Sequence, residues 1–135
     1  MEYINEASKY LSIYLDLKVA QENLEDEIDT TKSELSIFRK EESMHNSDFI
    51  FNKVFKIKRM EINLSSTKKT MMEISNALND LSAYEKNILI LYYINDLRND
   101  LIYKKLKCSE RKFYEDKARV IRKFAINLFH IRIAV

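Results

Sequence analysis

Glu110, Arg111, Lys112, Tyr114 and Glu115 stand within six residues of one another, and seven further cations surround them: Lys104, Lys105, Lys107, Lys117, Arg119, Arg122 and Lys123. An arginine fork can donate two hydrogen bonds to a guanine edge, a glutamate can accept from a cytosine amine, and a tyrosine can stack or touch a thymine methyl. The surrounding lysines and arginines suit phosphates, which give affinity and salt dependence but carry no sequence information. About six such contacts would make binding fall with a log–log salt slope of roughly −5. The competing reading is a basic helix face in water, so the elements around these residues have to decide.

Those elements are four short stretches. Residues 81–95, LSAYEKNILILYYIN, carry a helical apolar pattern, with Ser82 as N-cap and Glu85 three residues later as a capping box requires. Helix 83–94 presents Tyr84, Ile88, Leu91 and Tyr92 on one side, widened by Leu89 and Ile90, and stops at Asn95-Asp96. Residues 98–106, RNDLIYKKL, form a short helix with Leu101, Ile102 and Leu106 apolar. After the break Lys107-Cys108-Ser109, with Ser109 as cap, the basic helix 110–129 buries Phe113, Val120, Ile121, Phe124 and Leu128, with Ala118 as a further candidate. A helix, a short helix, a tight turn and a cationic helix is the layout of a helix-turn-helix, in which the first turns of the second helix enter the major groove.

The front of the chain has another character. Tyr3, Ala7, Tyr10, Tyr14, Leu17, Gln21, Leu24, Ile28, Thr31, Leu35 and Phe38 recur at steps of four and three, a heptad seam in one long helix over residues 3–42. Such a stripe needs a partner. Tyr10, Tyr14, Leu17, Leu24, Ile28, Leu35 and Phe38 are the expected oligomer interface, and a hairpin within the chain would bury the same residues. Residues 43–48, SMHNSD, read as a loop. A second helix follows over about 49–78, with Phe51, Val54, Phe55, Ile57, Ile62, Leu64, Met71, Ile74 and Leu78 as its apolar set and a possible interruption at residues 64–67.

Composition narrows the rest. The chain has no Gly and no Pro, which excludes Gly-cradled phosphate loops and Gly-dependent turns. A single cysteine, Cys108, excludes an internal disulfide, and neither His45 nor His130 has metal-ligand spacing around it. No nucleophile–base set or carboxylate pair stands out, so the chain does not read as an enzyme, and no cofactor is expected. Met1–Leu17 is interrupted by charge and no apolar run is long enough to span a bilayer, so no signal peptide or membrane contact is expected and the cytoplasm is the default. Charge is polarised: residues 1–47 hold 5 basic and 11 acidic side chains, residues 98–135 hold 11 and 4. The rear suits a polyanion that the front would repel.

Residues 81–129 resemble region 4 of bacterial sigma factors and, more closely, the ArpU/RinA-type phage transcriptional regulators of Gram-positive bacteria. The resemblance rests on Leu81, Glu85, Ile88, Leu89 and Tyr93, on Ile102 and Leu106, and above all on Ser109, Arg111, Phe113 and Tyr114 followed by Lys117-Ala118 and Lys123-Phe124-Ala125. Tyr103 stands where such motifs carry Ala, and Lys112 where Thr or Ser is common. The resemblance implies a promoter-binding late-gene activator that acts as an oligomer. The expected molecule is therefore all-α, with a coiled-coil or oligomerisation region over 1–78 and a sigma-like helix-turn-helix domain over 79–135. It would be a sequence-specific DNA-binding regulator of a phage or mobile-element operon in the cytoplasm of a bacterial host. Its partners would be double-stranded DNA, a second copy in a homodimer, and RNA polymerase as a further candidate. Two alternatives are a small terminase-like DNA-packaging subunit and a helical adaptor that binds only protein.

Overall fold

The computed structural model describes residues 2–40 and 47–131, and all of its regular structure is helical. The helices are α1 (Glu2–Ser12), α2 (Tyr14–Lys40), α3 (Ser47–Asn79), α4 (Ala83–Leu89), α5 (Asn99–Lys105) and α6 (Glu110–Phe129), with a π-helical turn over Ile90–Ile94 directly after α4. His45 and residues 43–46 of the expected loop lie outside the described residues, as do residues 132–135 of the C-terminal segment. The chain divides into two compact units, residues 16–70 and residues 1–15 with 71–135. The domain boundary expected after residue 78 is thus displaced. The start of the chain and the last turns of α3 belong with the C-terminal helices.

The seam expected over residues 3–42 is shared between the two units. Ser8 Oγ donates to Ile4 O at 2.9 Å and Ser12 Oγ to Ser8 O at 3.0 Å, and such back-bonding weakens and bends a helix. The regular helix stops at Ser12, with Ile13 in a turn between α1 and α2. α1 packs on α6 and on the π-helical turn. Ala7 and Leu11 are fully buried there, and Tyr10 meets Phe129 edge-on at 5.9 Å. Tyr10, expected at an interface between copies, is used inside its own chain.

Residues 16–70 form an antiparallel helical hairpin. Ile28 and Leu35 of α2 pack with Ile57 and Met60 of α3, and Leu24, Ile50, Val54 and Leu64 close around them. Phe38 stacks on Phe49 at 4.1 Å, and the pairs Glu34–Lys53 (3.1 Å) and Glu25–Lys68 (3.3 Å) fix the opposite run of the strands of sequence. Of the two ways to cover the α2 stripe, the chain uses itself: Leu24, Ile28, Leu35 and Phe38 have their partners on α3. Thr31, a polar member of that seam, is buried at 3% exposure. α3 runs unbroken through Leu64–Thr67, and three of its expected core residues, Phe51, Phe55 and Ile62, face solvent.

In the other unit, Ile74, Leu78, Ile88, Leu89, Ile102, Phe113, Val120 and Phe124 form the centre of the core. The expected stripe of α6 is buried, but Ala118 is exposed. Asn127 Nδ2 donates to Ala77 O at 3.3 Å and ties α6 to the end of α3. Truncating Leu11 tests whether α1 belongs to this core. Leu11→Ala should lower the free energy of unfolding by about 2–4 kcal/mol in a urea titration. An unchanged midpoint would show that α1 contributes no packing of its own.

Candidate nucleic-acid interface

α5 ends in a Schellman motif. Cys108 N–H closes on Tyr103 O (3.0 Å) and Lys107 N–H on Lys104 O (3.2 Å), which requires a left-handed residue between the two helices. Lys107 takes that place at φ 56°. Glycine would adopt it without penalty, whereas a residue with a Cβ pays about 1 kcal/mol or more. Asp96 and His130 end the π-helical turn and α6 in the same left-handed way. A chain without glycine still makes its helix stops, at a cost in stability. Lys107→Gly should therefore raise the unfolding free energy by about 1 kcal/mol. A loss of stability would mean that the Lys107 side chain makes a contact worth more than the backbone strain.

Ser109 then caps α6, accepting from Lys112 N at 3.1 Å. The first turns of α6 project Glu110, Arg111, Tyr114 and Glu115 into solvent, while Phe113 is fully buried beneath them. Arg111 has 90% of its side chain exposed and makes only an i,i+4 pair with Glu115 at 3.1 Å. Such exposed pairs stabilise by a few tenths of a kcal/mol, so the fork can exchange this partner for another. Tyr114, 42% exposed, is held from two sides. Asn99 Nδ2 donates to its hydroxyl at 3.1 Å, and the Lys117 ammonium lies 5.4 Å from its ring centre. Asn99 Oδ1 is buried without a partner, so the bond to Tyr114 is the side-chain hydrogen bond of that amide among the described residues.

Lys112, Lys117, Arg119 and Lys123 make contacts within the chain while staying partly exposed. Lys112 Nζ turns back to Asp116 at 3.0 Å and lies 5.5 Å from the Tyr84 ring centre, beside the backing network rather than with the tip. Lys117 Nζ lies 3.8 Å from the Tyr92 ring centre, a cation–π contact with a residue that the π-helical turn presents. Arg119 pairs with Glu85 at 2.8 Å and Lys123 with the same carboxylate at 3.2 Å. By contrast, Lys105, Lys107 and Arg122 are exposed and form no ion pair among the described residues, and Lys104 is likewise exposed.

Glu85 is the centre behind this surface. Only 7% of its side chain is exposed. Its carboxylate accepts from Ser82 N at 2.9 Å, while Glu85 N donates to Ser82 Oγ at 3.2 Å, completing the capping box foreseen from sequence. The Ser82 N–H, then Arg119 and Lys123, hold its carboxyl at about 2, well below the usual 4.5. Next to it, the Tyr84 hydroxyl donates to Asp116 Oδ2 at 2.7 Å. Burial and that carboxylate push the Tyr84 phenol up, and the hydrogen bond from Tyr84 and the Lys112 ammonium push Asp116 down. From sequence Glu85 was a cap and Tyr84 a face residue, and Asp116 was not singled out. The contacts that join them to α6, Tyr84–Asp116, Glu85–Arg119 and Glu85–Lys123, span more than thirty positions, and the hint was the shared face of Asp116, Arg119 and Lys123.

Cys108 is half-buried in the turn, and no cluster of three or more His, Cys, Asp or Glu that could hold a metal occurs among the described residues. No helix among them is long and apolar enough to cross a membrane. The chain matches no family model, no curated protein and no solved structure.

A depressed Glu85 pKa has a definite sign in stability. The unfolded carboxyl binds protons near 4.5 and the folded one near 2, so the contribution is complete above about 4.5 and is lost as pH falls towards 2. Glu85→Gln should lower stability at neutral pH by about 1–3 kcal/mol and flatten the acid limb between those values. An acid limb of unchanged steepness would place the titrating group elsewhere.

Proposed function

We propose that this protein binds double-stranded DNA through the leading end of α6 and regulates transcription, as an activator of a phage or mobile-element late operon. One observation carries the DNA reading. Arg111, Tyr114 and the carboxylates of Glu110 and Glu115 form an outward tip on a helix that Phe113, Asn99 and the Glu85 network hold in place. Exposed, differently polar side chains on a rigid helix are what base readout needs. Lys104, Lys105 and Lys107 cluster just before the tip and Arg122 follows it, a distribution suited to phosphates on either side of a groove. The operon assignment and RNA polymerase as a partner rest on the resemblance to ArpU/RinA-type regulators. A homo-oligomer would bring a second tip to the same duplex.

Counting only Lys104, Lys105, Lys107 and Arg122, about four phosphate contacts give a salt slope of roughly −4, and Arg119 and Lys123, about half exposed, would add to it only by giving up Glu85. Selection of genomic fragments by the purified protein should recover a preferred site. On that site Arg111→Ala should weaken binding about ten- to hundredfold, with little effect on random duplex. Lys105→Ala should weaken both alike and reduce the slope by about 1. Equal losses for both variants on both duplexes would contradict the division of roles. Unchanged duplex mobility at low salt would favour the protein-binding adaptor.

A further inference from the structure

Phe51, Phe55 and Ile62 of α3 are 67%, 55% and 69% exposed. Phe51 and Phe55 stack at 6.2 Å, and the Arg59 guanidinium lies 6.0 Å from the Phe55 ring centre. Ile50, Val54, Ile57, Met60 and Leu64 take the side of α3 that meets α2. The aromatic strip therefore lies on the side of α3 turned away from α2, with Lys58 and Arg59 exposed beside it. A run of large apolar groups this exposed marks a contact surface.

The charges on the two helices say what covers it. Residues 47–70 hold six basic and two acidic side chains, whereas residues 16–40 hold four basic and seven acidic ones. On the side of α2 turned away from α3 stand Val19, 54% exposed, and the exposed carboxylates of Glu22, Asp26 and Asp29. The ion pairs within the hairpin use Glu25 and Glu34. Glu22, Asp26, Asp29, Lys58 and Arg59 form no ion pair among the described residues. The spacing also agrees. Glu22 follows Val19 by the interval at which Lys58 follows Phe55, so helices aligned in parallel set Val19 on Phe55 and Glu22 by Lys58.

We propose that the outer face of α3 docks on the outer face of α2 of a second copy of this chain. Pairing α3 with α3 would bring Lys58 and Arg59 against themselves, and pairing α2 with α2 would oppose carboxylates. The two faces lie on opposite sides of one hairpin, so the contact is head-to-tail. Each copy offers one face to each neighbour, and because α3 runs parallel to the neighbour's α2, successive copies alternate in direction and the array extends. The surface is distinct from the seam of Leu24, Ile28, Leu35 and Phe38, which the hairpin consumes, and the inference does not depend on DNA binding.

Sedimentation velocity of the full chain tests this at up to roughly 100 µM, above the micromolar range of modest interfaces. The wild-type chain should sediment as an assembly that salt weakens. Phe55→Glu, and separately Glu22→Lys with Asp26→Lys, should each give a monomer with unchanged helical circular dichroism. Mixing the two variants should restore a one-to-one pair, because each retains the face the other has lost. A monomeric wild-type chain, a variant that still assembles, or a mixture that stays monomeric would overturn the proposal. A variant that still assembles would point to a two-fold contact between identical faces.

Discussion

One buried carboxylate sets the position of the cationic helix. Glu85 closes the capping box that starts α4 and receives Arg119 and Lys123 from α6. An ionised glutamate with 7% of its side chain exposed is costly to desolvate unless its oxygens are satisfied. Here a backbone N–H and two cations satisfy them, so Glu85 can remain ionised only while α4 and α6 keep their register. The same face of α6 carries Asp116, which takes the Tyr84 hydroxyl and the Lys112 ammonium. Two acidic groups thereby pair with three of the cations of α6, each of which keeps about half of its side chain exposed.

The π-helical turn joins this clamp to the tip. By presenting Tyr92 to the Lys117 ammonium it draws that side chain beneath Tyr114, while Asn99 holds the Tyr114 hydroxyl from α5. π-helical turns often occur at functional sites. Tyr114 is in this way positioned by three elements, whereas Arg111 is constrained only by its neighbour Glu115. The tip thus joins a held aromatic to a mobile guanidinium fork.

Local signals in the sequence were legible because their causes are local. Ser82 with Glu85, Ser109, and the spacing of Phe113, Val120, Ile121, Phe124 and Leu128 each specify a cap or a buried face within a few residues. The break at Ile13 was hidden, because the four–three spacing continues across it from Tyr10 to Tyr14 and Leu17. Only the serine back-bonding and the docking of α1 show it. Phe51, Phe55 and Ile62 were assigned to the core because hydrophobicity alone does not say which side of a broad apolar helix meets its partner. ILYYI reads like any apolar helical turn, so nothing in its spacing announced the π geometry. The exposure of Glu110, Arg111, Tyr114 and Glu115 follows from the spacing of the buried stripe, but the pairing of Arg119 and Lys123 with Glu85 spans more than thirty residues and local spacing does not specify it.

The proposed DNA contact predicts which residues a duplex would touch. An NMR titration of the labelled chain with a mixed-sequence duplex at low ionic strength reads that contact residue by residue. The predicted result is that amide signals of residues 104–115 shift first and most, with the hairpin of residues 16–70 unmoved. Shifts confined to that hairpin, or none at all at saturating duplex, would contradict it.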